Sequence, residues 1–441
     1  VTDLDGLRSA LDGEVFDPDT AGYDDVRRPA DVRYGGVRPR LVVRCRSDAD
    51  VVAALGHARG TGLHIVPRGG GHCFAGRSST AGMVLDLSGL DRVDVAGGGS
   101  ATIGAGARLG RVYAELHRHR RTVPAGCGGT VGIAGLTLGG GIGLLGRTHG
   151  LTCDSLTGAR VVLADGRVVD CDRDREAELF WALRGAGGGQ FGVVTSLRFD
   201  TVPEPATTRF VLRWPRPPLG GLVETWQGWA PDAVDEVTAN LTVVAEPGAP
   251  VRATVFGACL RPAAETRALV GELGALVGGD PEVDVQGGLP YSRLKDMFDG
   301  VGPNEPASGL RIRSELFTGS LRSETIGDLC AALAARGDGG PRALAFTALG
   351  GAYDRVPAPA TAFAHRGCRF QLEHVGAVTS GWIDRSWAIA HADGSGRVYP
   401  NFPDPALEDW ATAYHGENHA RLAAAKRAYD PDRVFRFPQS L

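Results

Sequence analysis

PRGGGHCFAG, residues 67–76, sets three consecutive glycines directly before a histidine. Glycine has no Cβ, so it tolerates φ > 0 and lets backbone approach another group closely. The stretch therefore describes a bend stripped of side chains, with one chemically competent group, His72, at its tip. Its flanks place it in a fold. LHIVPR before it is short and β-branched, and GMVLDLSGL after it has the same character, so both read as strands.

Further upstream, RLVVRC reads as a strand and SDADVVAALGHARGTG as a helix. Ser47 stands at the N-cap, acids fill the first turn, and glycine follows the end. A short helix, Asp5–Leu11, precedes this in a polar lead-in over residues 1–33. Downstream, RVDVAGGGSATIGAG reads as strand segments and RLGRVYAELHRHR as a helix. The stretch from Thr122 to Asp172 reads as glycine-rich and strand-rich. DREAELFWALRGAGGG is a helix closing on glycines, and FGVVTSLRFDTVP is a strand. Proline punctuation over 203–217 marks a boundary. Beyond it, strands (TRFVLRW, ANLTVVAE, RATVFGACL) and helices (AAETRALVGELGAL) give an α+β layout, an antiparallel sheet with helices on one face. After Tyr399 the pattern predicts one long amphipathic helix stopped by YDPDRVF.

The bulk composition narrows the function classes. Lys+Arg 47 against Asp+Glu 51 gives a net charge of -4, which argues against a nucleic-acid partner. The basic run from Arg111 to Arg121 reads as a solvated helix face. The 8 cysteines are scattered and never form C-x-x-C, so neither a disulfide scaffold nor a metal site is indicated. No apolar run approaches the ~18 residues of a membrane span, and the N-terminal stretch lacks a signal-peptide pattern. The expectation is a soluble cytoplasmic protein with reduced thiols, although the starting Val1 leaves open an upstream segment.

Gly accounts for 65 of the 441 residues, with clusters at 69–71, 126–132, 139–143 and 185–192. One such cluster is a tight turn; four in one domain point to a ligand with extended phosphates held by successive backbone N–H groups. A nicotinamide Rossmann site fits poorly. GGGQFG, Gly187–Gly192, matches G-x-G-x-x-G but follows a helix and precedes a strand, the reverse of the required order. GAGARLG, from Gly104, has its third glycine one residue late and no acid about 20 residues on.

With these residues in view, PRGGGHCFAGRSSTAGMVLDLSGL resembles the flavin-attachment segment of FAD-linked oxidases of the berberine bridge enzyme type. VGIAGLTLGGGIGLLGRTHGLTCD, FWALRGAGGGQFGVVT and the C-terminal YPNFPDP…YHGENHARLAAAKRAYDPDRVFRFPQS agree, in the family's order. The resemblance implies the vanillyl-alcohol-oxidase (PCMH-type) fold: an α+β chain with a two-subdomain FAD-binding domain and a substrate domain of antiparallel sheet flanked by helices. On this chain the FAD-binding domain covers 34–205, the substrate domain 206–396, and a segment from 397 to 441 returns to the first.

The resemblance also implies FAD contacts, carried over position by position. In the first segment they fall on Arg68, Gly69, Gly70, Gly71, His72, Cys73 and Gly76. In the second they fall on Gly126, Cys127, Thr130, Val131 and Gly132. Beyond it come Gly135, Leu138, Gly139, Gly140, Gly141 and Gly143, then Gly189, Phe191, Gly192, Val193 and Val194. Near the C-terminus they are Tyr399, Asn401 and Asn418. The family's histidine bonds to the 8α-methyl carbon of the flavin, which requires a neutral imidazole with a free lone pair.

Two departures qualify this. The family's second attachment, a cysteine in Gly-x-Cys-x-x-Val-Gly, meets Gly126-Cys127-Gly128-Gly129-Thr130-Val131-Gly132 here, with the thiol one place early. A rise of ~3.3 Å per residue re-aims the side chain, so attachment through His72 is expected and the Cys127 bond stays open. The family's sugar oxidases read Tyr-x-Asn-Tyr with the second tyrosine as base; here it is Tyr399-Pro400-Asn401-Phe402, and Phe402 cannot ionise. Another branch uses a carboxylate on a sheet strand, and CRFQLEHVGAV puts Glu373 in that slot. Period-2 alternation sets Gln371 and Glu373 on one face and His374 on the other. The alternative is a strand glutamate held by Arg369 or Arg313, with His374 and Tyr353 as reserve catalytic candidates.

The resulting expectation is an FAD-dependent oxidase. It moves a hydride from an alcohol, hemiacetal or related carbon of a small molecule to flavin N5, with O2 as acceptor and H2O2 as product. A secondary metabolite or glycosylated compound fits better than a simple sugar. A dehydrogenase, or an oxidative cyclase or oxygenase of the same fold, is the alternative, ahead of a non-catalytic flavin carrier. No nucleic-acid or membrane partner is expected, and the sequence leaves the oligomeric state open.

Overall fold

The computed structural model describes residues 4–214, 216–299, 309–335 and 340–441. The bend at Gly69–His72 follows the strand Ile65–Arg68, as its flanks require. That strand and Leu41–Arg44 both run parallel to Met83–Asp86, which lies between them, and Glu14–Phe16 closes the sheet antiparallel to Leu41–Arg44. The helix Asp48–Thr61 links the first two strands. The Ser47 side chain accepts from Asp50 N and Gly62 ends the helix in the left-handed region, contributions of about 1 kcal/mol for such an N-cap.

A second, antiparallel sheet orders Val93–Val95, Ser100–Gly104, Gly192–Asp200, Leu156–Leu163 and Val168–Cys171. The basic run lies on the helix Leu109–Arg118, which buries Leu109, Val112, Tyr113 and Leu116. The stretch expected to be strand-rich contains two short helices, Ile133–Leu138 and Gly146–His149. Each is under two turns, too short for a 3.6-residue period to show against its glycines.

The third sheet has seven strands, all pairs antiparallel. Its order is Glu282–Pro290, Ala206–Trp214, Arg252–Cys259, Val237–Ala245, Arg342–Ala348, Phe370–Gly376, Arg311–Phe317. Period-2 alternation splits its faces. Val237, Ala239, Leu241, Val243, Leu344, Phe346, Phe370 and Leu372 share a core with side chains of the helices Leu219–Trp229, Ala263–Val277, Ser323–Ala334 and Trp382–His391. The helix Tyr291–Phe298 behaves differently. Its Tyr291, Leu294 and Phe298 join the core of the first two sheets.

The long C-terminal helix is interrupted: Trp410–His415 and His419–Tyr429 flank a tight turn at Gly416, where φ is +49°. The second helix returns to the first core through Leu422 and Ala425, followed by Phe435 and Leu441. Lys426 Nζ donates to Gln190 O, Phe435 O and, at 2.7 Å, Asp430 Oδ2. Asp430 also accepts from Val434 N and Phe435 N, which explains why the Asp in YDPDRVF ends the helix. Among the described residues, no helix is long and apolar enough to cross a membrane. All eight cysteines are free.

Three histidines gather at the C-terminal turn. His415 stacks on His419 at 6.2 Å, and His365 lies buried nearby. Burial pushes His365 down to about 4 and His415 down to about 3, and the buried His365 Nε2 and His415 Nδ1 have no hydrogen-bond partner among the described residues. In the unfolded chain both titrate near 6.5, so below that value the unfolded state binds protons that the folded state refuses. Stability is therefore expected to fall from about pH 6.5 toward the folded values, by about 1.4 kcal/mol per pH unit for each histidine. Denaturant unfolding across this range checks the slope, and His415→Asn should flatten it.

Candidate active site

The glycine bend meets the thiol-bearing turn back to back. A Cβ on Gly70 would run into the backbone nitrogen of Gly132, and one on Gly132 would run into that of Gly70. A Cβ on Gly69 would stand 3.2 Å from Ala105 O, and Gly71 sits at φ +76° against Pro29 and Ala30. The second turn is pinned from its other side, with Leu109 N donating to Val131 O and Ile133 N to Ala107 O. The missing side chains at 69–71 thus serve loop-on-loop packing as well as a cavity wall.

This contact presents His72, half-buried, with Nε2 3.0 Å from Thr130 Oγ1. Burial lowers its pKa below the ordinary 6.5, reinforced by the positive charge of Arg108, so the ring is neutral at neutral pH. With Nε2 engaged by Thr130, Nδ1 is the nitrogen left for chemistry.

A cavity of about 410 Å³ opens in front of it. From the expected cofactor residues it is lined by Gly69, Gly70, Gly71, His72 and Cys73, by Gly126, Cys127, Val131, Gly132, Gly135, Leu138 and Gly143, by Gly189, Gly192 and Val194, and by Tyr399 and Asn401. Others stand behind this wall. Arg68 donates to Val26 O and Arg27 O, and Gly76 packs on the Tyr34 ring. Gly139 abuts Asn401, Gly140 Phe363, and Gly141 Thr152. Phe191 and Val193 are in the core, and Asn418 Nδ2 bonds the carbonyls of Ala358, Thr361 and Ala362.

The seven-stranded sheet supplies the far wall from the face its helices leave uncovered: Thr238, Asn240 and Thr242, then Ala345 and Thr347, then Gln371 and Glu373. Gln371 Nε2 donates to Glu373 Oε1 at 3.0 Å, and Ser314 stands opposite Glu373 on the edge strand. The arginines considered for Glu373 bond elsewhere: Arg313 to Asp404 and Asp384, Arg369 to Asp232. The two reserve candidates lie outside the cavity. His374 faces the helices, Nδ1 2.8 Å from Ser386 Oγ, and burial pushes it down to about 3. Tyr353 donates to Gly143 O at 2.9 Å, and burial raises it far above the phenol range.

Phe402 stacks on Phe74 with centroids 5.1 Å apart and planes 9° apart. Tyr399 Oη accepts from Gly141 N, Ile142 N and Asn401 Nδ2, tying the C-terminal segment to the glycine loop. Sequence reasoning missed Arg77, Ser78, Phe74 and the row Thr238, Asn240, Thr242. The row's signal was present, polar residues at every second position of VTANLTVVA, but which face meets a cavity is a tertiary fact.

The residues present fit FAD. Gly135 and Gly187 border the cavity with open space where a Cβ would stand. Arg77 Nε, Ser78 Oγ and Gln371 Oε1 are buried on its wall with no hydrogen-bond partner among the described residues. A ligand carrying phosphates and a polar ring edge satisfies such groups.

Known proteins place the chain in a family. Residues 39–172 match the FAD binding domain family, and residues 398–441 match the family described as berberine and berberine like. The FAD-linked oxidoreductase YgaK of Bacillus subtilis is 33% identical over 98% of both chains. The (R)-6-hydroxynicotine oxidase of Paenarthrobacter nicotinovorans is 31% identical over 97% of this chain and 96% of its own. Glucooligosaccharide oxidase from Acremonium strictum, which carries a 6-S-cysteinyl, 8α-N1-histidyl FAD, superposes with a TM-score of 0.89 at 25% identity, over 99% of this chain and 98% of that one.

The back-to-back glycines yield a contrast in stability. Gly132→Ala should destabilise by about 1–3 kcal/mol through overpacking. Gly135→Ala, in a helix and facing open space, should raise stability by about 0.5–1 kcal/mol while its methyl enters the cavity. Urea unfolding of both variants checks the pair.

Proposed function

Because the chain belongs to the berberine-bridge-type FAD-linked oxidoreductases, we propose that it is an oxidase whose flavin is tethered through His72 and whose base is Glu373. The carrying observation is that a neutral imidazole from the glycine bend and a carboxylate from the seven-stranded sheet line one cavity. Once bound, FAD would supply the two-electron redox chemistry of such an oxidation, with dioxygen as the final acceptor.

The chain's own residues do the rest. Thr130 holds the His72 ring by Nε2, leaving Nδ1 for the covalent bond. Arg77, Ser78 and the glycine-loop backbone would hold the dinucleotide, and the Phe74–Phe402 stack shapes the adjoining wall. Glu373 takes the proton from the substrate's hydroxyl or acidic C–H, and Gln371 orients it through the bond to Oε1. A polar row (Thr238, Asn240, Thr242, Thr347) beside aromatic Phe256 and Phe298 suits a hydroxyl-bearing ring compound with an apolar body. A glycosylated or polycyclic metabolite has that character. A simple sugar is less well matched, since Phe402 stands where the sugar oxidases carry their tyrosine.

After proteolysis the flavin should travel with the peptide bearing His72, and His72→Ala should leave that peptide flavin-free. Yellow colour that leaves the unmodified protein entirely on acid precipitation would overturn the tether. With a substrate in hand, Glu373→Gln should lower turnover by roughly 10²–10⁴ with flavin content unchanged. Peroxide release in air distinguishes an oxidase from a dehydrogenase.

A further inference from the structure

The sheet wall of the cavity is one-sided in its hydrogen bonding. Asn240 Oδ1 and Gln371 Oε1 are buried on it with no hydrogen-bond partner among the described residues. Gln371 is left with this oxygen because its Nε2 donates to Glu373 Oε1 at 3.0 Å. Thr238 spends its hydroxyl hydrogen on Leu144 O at 2.9 Å, so toward the cavity it can only accept. The Glu373 carboxylate adds further acceptor oxygens to the same wall.

Strand register gathers these groups. Thr242 stands opposite Ala345 and Ala345 opposite Glu373, while Thr347 stands opposite Gln371. Asn240 lies two residues before Thr242 on the same face, level with Thr347. Asn240 and Gln371 therefore flank Thr347 from the two adjoining strands, with backbones about 10 Å apart. No basic side chain stands on this wall. His72, Arg77 and Arg436 line the cavity from the flavin-domain loops and the C-terminal segment. The Arg77 guanidinium packs on Phe437 at 4.5 Å and donates to Gln439.

A buried acceptor that loses water and gains no donor is costly, so the occupant of this wall must bring hydrogens. A hydroxyl brings one hydrogen, together with lone pairs that this wall does not serve. An ammonium brings three hydrogens and no lone pair, and its charge suits a wall whose one ionisable group is an acid.

We propose that the substrate carries an amino group, positively charged in solution, whose N–H groups are received by Asn240 Oδ1 and Gln371 Oε1 beside Glu373. Asn240 is then a residue that selects this substrate class. The inference rests on the reading that the cavity holds FAD and a ring compound, and it names the polar group of that compound.

The test is anaerobic titration of the flavin-loaded protein with 2-phenylethylamine, 2-phenylethanol and phenylacetate, followed in the flavin absorbance band. The probes share ring and chain length and differ in donors and charge. The amine should bind more tightly than the alcohol by roughly 10–100-fold, the range for hydrogen bonds to a charged group, and phenylacetate most weakly. Asn240→Ala should remove most of this advantage. Asn240→Asp, which keeps an acceptor in place, should retain or increase it. Flavin content equal to that of the unmodified protein shows that the variants fold.

An alcohol that binds as tightly as the amine overturns the inference and leaves the FAD reading standing. So does an amine that fails to bind, or one whose advantage survives in Asn240→Ala. Preference for phenylacetate, lost in Asn240→Asp, means that the amide turns its nitrogen to the cavity, and also overturns it. If neither variant loads flavin, the order of the probes on the unmodified protein decides: amine first supports the inference, and any other order overturns it. An unmodified chain that takes up no flavin overturns the FAD reading instead.

Discussion

The site depends on one contact, the meeting of the Gly70 and Gly132 backbones. Neither position has room for a Cβ, so two turns far apart in sequence come close enough to share a wall. That wall carries His72 on one turn and Cys127 on the other, with Thr130 of the second turn bonded to the imidazole. A side chain at either glycine would separate the turns and take Thr130 away from the imidazole. The hydrogen bond that orients His72 is therefore a consequence of backbone packing.

A second constraint comes from the sheet opposite. A strand exposes alternate residues to opposite faces, and four helices occupy one face of this sheet. Thr238, Asn240 and Thr242, Ala345 and Thr347, and Gln371 and Glu373 are thereby turned to the cavity, while Val244, Ala343 and Val375 on the same strands pack together beside it. Glu373 and Gln371 reach the cavity for the same reason that His374 is excluded from it. The C-terminal segment completes the enclosure, because Tyr399 and Asn401 bond the glycine loop while Lys426 and Asp430 anchor the last helix. The buried histidines beside that segment make its docking sensitive to acid.

Much of this was legible in the residues. The order of strands and helices from Leu41 to Arg118, the antiparallel middle sheet, the cap at Ser47 and the stop at Asp430 all follow from local chemistry that tertiary packing did not override. What escaped were short or interrupted elements. The helices Ile133–Leu138 and Gly146–His149 are too short for a periodic signal, and Gly416 breaks what its neighbours' pattern draws as one helix.

By itself the sequence determined the class of ligand and singled out His72 as the candidate tether. Four glycine clusters and a histidine after three glycines are local statements, and backbone freedom is a property each glycine carries alone. Only the tertiary structure decided which groups meet. It put Phe402 on Phe74, turned Tyr353 and His374 away from the cavity, and brought Lys295 against the Cys127 turn. Those outcomes depend on helix insertion and sheet facing, and on how much water each pocket admits. None of the three is a property of a residue and its sequence neighbours.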